Sequence, residues 1–174
     1  MIRKHLLILS LGLFMATLAS CSTETENHTV NSPELQLTAE GPLFEGANTA
    51  TASWEFDLAE LLGRTQEGEV NVKSARLTQL EIILEEGDNL PGIQNMVFEM
   101  TSKNTPMTRL ALYEGRIEPG QAISPNVASQ QEKLSTAFQD GKITFVGDFD
   151  LLEEEYWDDI QFRLRATFEI ETKK

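Results

Sequence analysis

Cysteine and histidine are nearly absent from this chain, whose 174 residues hold one Cys and two His. A single Cys excludes an intrachain disulfide and any multi-cysteine metal site. The histidines fall at 5 and 28, outside any folded core that the pattern suggests. Ser-His-Asp and Cys-His hydrolysis are therefore not expected, because a general base must be held within hydrogen-bond reach of its substrate. A histidine-rich zinc or iron site falls with them. Basic residues are also scarce, 14 against 28 acids, for a net charge of −14. Nucleic-acid binding needs a basic face that displaces counterions from phosphates, and no such face is available. Eleven glycines fall singly at turns, so no phosphate-cradling loop can be read from them. The only long apolar run, Leu6 to Leu18, has thirteen residues. A membrane-spanning helix needs about 20.

That run carries the first positive signal. Arg3 and Lys4 precede it, and Leu18-Ala19-Ser20-Cys21 ends it. A basic start, a short apolar stretch and small residues read as a secretion signal. Residues 1–21 resemble the bacterial lipoprotein signal, the lipobox. The resemblance implies cleavage before Cys21, acylation of its sulfur and of the new amine, and a partner in the lipid membrane. One acyl chain holds a protein marginally, whereas two or more hold it firmly. Ser22 stands where an Asp would resemble the inner-membrane retention signal, so the resemblance implies the outer membrane. Ser22 to Asn27 is similar to the surface-export signal of Bacteroidetes lipoproteins. Loss of Arg3 and Lys4 with the signal takes the net charge to −16.

Three regions follow: a signal peptide over 1–20, a lipidated Cys and flexible tether over 21–33, and a β-domain over 34–174. The tether reading rests on Ser22 to Ser32, where Val30 is the only apolar residue. Fully extended, those eleven residues would reach about 36–40 Å. From 34 onward apolar residues recur at period 2, the mark of half-buried strands. Strands are expected near 49–56, over 70–84, around Met96 to Met100, at Leu110 and Leu112, and across Ile143 to Phe149. The row changes parity twice within 70–84, which predicts a bulge or two short strands. Ile160, Phe162, Leu164, Ala166, Phe168 and Ile170 give the clearest strand, one face buried and one wet.

Two similar segments predict short helical turns: Phe56-Asp57-Leu58 before Glu60, and Phe149-Asp150-Leu151 before Glu153. Each sets an Asp three residues before a Glu, as in a capping box. Seven or eight strands with few helices predict an all-β fold, a two-sheet antiparallel β-sandwich of Ig-like or jelly-roll-like type. An up-and-down barrel is the alternative. The order of motifs, including Ser74 to Thr78 and the last strand, is similar to small uncharacterised all-β lipoproteins of Bacteroidetes.

Carboxylates and aromatics supply the remaining candidates. Glu153-Glu154-Glu155-Tyr156-Trp157-Asp158-Asp159 is the densest acidic run. A glycosidase needs two carboxyls about 5–9.5 Å apart across a cleft, which neighbours on one loop rarely provide. Asp148, Asp150, Asp158 and Asp159 could supply oxygens to calcium, without the EF-hand spacing. Tyr156 and Trp157 could form a stacking platform for a sugar, while Trp54 alternates with core residues and reads as core. The irregular stretch Glu118 to Gln131 is longer than most connections, and such stretches are often functional. It and the Gly87-to-Gly92 loop are further places for a binding face. The sequence thus predicts a non-catalytic envelope lipoprotein whose partner is another envelope protein or a glycan.

Overall fold

The computed structural model describes residues 24–64, 70–131 and 133–173. The expected signal peptide and Cys21 lie outside these residues. In chain order the elements are β1 (Thr25–Asn31), β2 (Leu35–Ala39), β3 (Leu43–Glu55), α1 (Leu58–Leu61), β4 (Val72–Leu84), β5 (Ile93–Ser102) and β6 (Thr105–Ile117). The short β7 (Ala122–Ile123) and β8 (Asn126–Val127) follow, then α2 (Leu134–Gln139), β9 (Lys142–Tyr156) and β10 (Ile160–Lys173).

All pairings are antiparallel, and the architecture is the expected all-β sandwich. One layer runs β7-β4-β10, with β1 and β2 end to end along the far side of β10. The other runs β3-β9-β5-β6-β8. The layers meet along a narrow seam where β2 pairs β3 through Thr38 and Thr51. Across the opposite side, residues 118–131 act as a strap. β7 adds to the edge of β4, and β8 adds to the edge of β6. Gln131 completes that strap with its side chain. Its Oε1 accepts from the Leu77 amide at 2.6 Å and its Nε2 donates to the Leu77 carbonyl at 3.0 Å. A carboxamide thus stands in for a strand residue on an otherwise open edge, where bare backbone groups would be a liability.

The core lies between the layers. β10 contributes all six of its even apolar positions, each buried. Phe168 stacks toward Trp54 and Phe145 of the opposite layer, and Phe149 meets Phe162 edge-on at 5.2 Å. The two parity changes in β4 are two bulges in one strand. Its register against β10 shifts between Leu77 and Gln79 and again between Val72 and Ser74. α1 is the expected turn, with the Asp57 carboxylate accepting from the Glu60 amide at 2.9 Å. That bond satisfies one of the first-turn amides that a helix leaves free.

Three expectations are corrected. Residues 25–31 do not belong to a flexible tether, because β1 pairs with β10 from Thr25 opposite Lys173 to Asn31 opposite Thr167. β2 covers only the first five residues of β10, and the rest of that edge needs a hydrogen-bonding partner whatever its side chains. Pro33 interrupts the ladder, since it has no amide hydrogen. Ser32 bridges the break: its amide donates to the Ala166 carbonyl at 2.8 Å, and its Oγ accepts from the Ala166 amide at 3.0 Å. Second, His28 is held rather than mobile, with Nε2 3.2 Å from the hydroxyl of fully buried Thr172. The Arg64 guanidinium donates to the same hydroxyl at 2.9 Å. Third, Asp150 to Tyr156 is strand, not a helical turn. Asp150 lies opposite Ala47, and buried Phe149 and Leu151 keep the period of β9. α2 is a helix that the strand-based reading did not anticipate. Its Leu134, Ala137 and Phe138 are buried at the spacing of one helical face.

Candidate functional site

Four connections gather at one pole of the sandwich, the end where β10 begins. They are the β2–β3 turn, the β4–β5 loop, the β6–β7 loop and the β9–β10 turn. Register places them together: Leu84 lies opposite Phe162, Ile93 opposite Leu151, and Ile117 opposite Ile93. Hydrogen bonds knit the loops, from the Gly120 amide to the Leu84 carbonyl and from the Glu85 amide to the Gln161 carbonyl.

The expected aromatic pair sits here. Trp157 is 68% exposed in the β9–β10 turn, and Tyr156 beside it is half-buried. Gly41 supports the turn from below, where a Cβ would stand 2.4 Å from the Trp157 carbonyl oxygen. No larger residue fits that approach. The Gly41 amide donates to Asp159 Oδ1 at 3.0 Å, and the Gly41–Pro42 peptide is cis. Burial raises the Tyr156 phenol above its ordinary value, and the charges of Asp158 and Asp88 add to the shift. The shift moves the phenol further from ionisation, so the hydroxyl stays a neutral donor, as an ordinary tyrosine's also is near neutral pH.

Two residues missed in the sequence enlarge the apolar surface. Phe44 is 55% exposed and Leu152 is 45% exposed. Between Gly46, opposite Leu151, and Phe44, opposite Glu155, β9 carries two more residues than β3. Leu152 opens this irregular stretch and faces solvent, while Leu151 before it stays buried. Asn48 holds the facing strand, donating from Nδ2 to the carbonyls of Phe44 and Gly46 at 2.8 and 2.9 Å. A signal for Leu152 existed: two consecutive leucines in a strand cannot both face inward. Glu153 is anchored on the next loop, accepting from the Gly92 amide at 2.6 Å.

The four aspartates considered for calcium do not converge. Asp148 accepts from Thr49 Oγ1 at 2.5 Å, and Asp150 accepts from Asn95 Nδ2 at 3.1 Å. Both lie within β9, whereas Asp158 and Asp159 follow its end. The intervening strand separates the pairs by roughly 20 Å. Among the described residues no group of three or more His, Cys, Asp or Glu is placed to hold a metal ion.

A second surface feature lies on the outer face of β1, β10 and β4, a shallow depression of about 610 Å³. Asn27, Thr29, Ser74, Arg76, Glu169 and Glu171 are among its lining residues. Its charges are already paired, Arg76 with Glu169 and Lys73 with Glu171. Arg163 and Arg165 continue the ladder along the same strand toward Glu34, with Arg163 also meeting Glu85.

No protein-family model matches the chain, and no curated protein matches it. Among solved structures the chain is similar to a protein in the "Structure of infectious bursal disease virus Gx strain", with a TM-score of 0.44 and 9% identity. The match covers 86% of this chain and 32% of that one, so the chain spans about a third of the viral protein.

Proposed function

We propose that this chain is a lipid-anchored protein of the bacterial cell envelope, acylated at Cys21 and placed on the outer membrane. Its β-sandwich is a non-catalytic domain that presents the loop pole to another envelope component. The lipobox-like residues 1–21 support the anchor. The observation that carries the display reading is the placement of β1. It enters at Thr25 opposite Lys173, and Trp157 stands at the other end of β10. Fourteen residues of strand make that separation about 45 Å. An anchor four residues before Thr25 therefore leaves the exposed aromatic pole facing away from the lipid. Those few residues also limit the stand-off to about 10–14 Å, far less than a free tether would give.

Cys21→Ser, followed through membrane fractionation, tests the anchor. The variant is expected in the soluble fraction, and retention on membranes would end the lipoprotein reading. A glycan ligand is the second reading, favoured by the exposure of Trp157 beside the neutral Tyr156 hydroxyl. Sugar-dependent quenching of tryptophan emission that is lost in Trp157→Ala would support it.

A further inference from the structure

We infer that the loop pole is a docking surface for a cationic polypeptide segment carrying apolar side chains, a deeper form of the display reading on which it rests. The apolar side chains are the reason to expect an occupant. Four large hydrophobic residues are exposed among the described residues, and three of them, Phe44, Leu152 and Trp157, lie at this one pole. Phe44 stands opposite Glu155, two positions before Trp157, and Leu152 lies in the irregular stretch of the same strand. Single exposed hydrophobics are ordinary on a protein surface, and the gathering of three of the four at one end sets this pole apart from the rest of the described surface. Aromatic residues of this kind are also those that most often dominate binding energy.

Charge then selects the occupant. Residues 40–48, 85–95, 118–122 and 150–160 contain twelve acids and no Lys or Arg. At the margin Glu85 and Glu118 meet Arg163 and Arg116, which leaves the centre of the pole uniformly negative. A second copy of the chain would bring acid against acid across the same contact. An anionic lipid surface would be repelled for the same reason. A neutral glycan would gain nothing from the field, and the aliphatic Leu152 offers it no flat face to stack on. A basic segment gains on both counts, because the acids steer its approach and the apolar trio holds it once docked.

The test uses the full chain in phosphatidylcholine nanodiscs, or in buffer should it not enter them. Entry into the discs reports on the anchor alone. The probe is a synthetic peptide of alternating lysine and leucine. Trp54 is 5% exposed, so a change in emission on binding reports on Trp157. The expected result is a blue shift that saturates with peptide, with affinity falling as salt is raised. Phe44→Ala with Trp157→Ala, read by calorimetry, should weaken binding at least tenfold. Glu154→Lys with Asp158→Lys should weaken it mainly at low salt. Equal affinity in the aromatic double variant would overturn the inference, since binding would then be charge alone. Saturable glycan binding without peptide binding would overturn the polypeptide class and keep the display reading. Concentration-dependent dimers lost in Phe44→Ala would replace the partner with a second copy. If no peptide or glycan perturbs Trp157 and no dimer forms, this inference and the display reading fail together, while the anchor stands or falls by fractionation.

Discussion

At the helix-bearing end of the sandwich Trp54, Phe56, Phe138 and Phe168 turn inward, whereas at the loop end Trp157 and Phe44 face solvent. The inward group is tightly arranged: Phe138 meets Phe168 edge-on at 5.1 Å and, at a tilt, Phe56 at 5.5 Å. α2 plugs that end by burying one helical face. The loop end is built by other means. There close backbone approach and a carboxylate do the holding, through Gly41 against the Trp157 carbonyl and the Glu153 side chain on the Gly92 amide. The aromatic side chains are left over. One end uses its aromatics for stability, and the other positions them while depending little on them.

Four measurements probe that contrast. The largest effect is expected for Phe138→Ala, which empties the plugged end and should cost about 3–5 kcal/mol by denaturant titration. A loss below about 1 kcal/mol would mean that α2 does not close the core. Next comes Gly41→Ala, where the added methyl must displace the Trp157 carbonyl. A loss of about 1–3 kcal/mol is expected, together with altered Trp157 emission. Asp140 tests polar support at the helix end. It accepts from Ser102 Oγ at 2.6 Å, the Asn104 amide at 2.8 Å and Asn104 Nδ2 at 2.6 Å. Burial pushes its carboxyl up, but these bonds and nearby Lys103 outweigh that and hold it below its ordinary value of 3.8. A lowered folded pKa gives stability that is present above the unfolded value and lost as pH falls through the folded one. Asp140→Asn should therefore cost about 1–2 kcal/mol at pH 7, with the gap to wild type shrinking below pH about 4. The smallest change is expected for Trp157→Ala, within about 0.5 kcal/mol of wild type. A larger loss would show that the loop end also relies on its aromatic for stability.

The fold was legible where side chains alternate on one buried face. Ile160 to Ile170 gave the last strand, and the parity changes of residues 70–84 gave two real bulges. β1 was not legible, because its pairing is carried by backbone groups that a polar sequence conceals. Only Val30 of that strand is buried, and the partner that requires it lies more than a hundred residues away. The resemblance between Phe56-Asp57-Leu58 and Phe149-Asp150-Leu151 misled for a related reason. Asp57 caps its own chain, whereas Asp150 accepts from Asn95 of another strand. Local pattern cannot tell these apart when the competing partner comes from elsewhere. Trp157 stands exposed in the β9–β10 turn where the sequence put an aromatic pair, whereas Tyr156 beside it packs partly against the core. Leu152 was legible too, since strand alternation that buries Leu151 turns its neighbour outward, whereas the exposure of Phe44 lies beside a register shift that single-strand periodicity does not encode.

The antiparallel docking of β1 also has a mechanical side. Its hydrogen bonds to β10 lie across the strand direction. A pull at the chain's entry near Thr25, resisted at the far loops, runs along the strands. All the rungs of that ladder then share the load in shear, and none can be peeled open before its neighbours. A polar strand of seven residues, weak as packing, is placed where it can resist being drawn out.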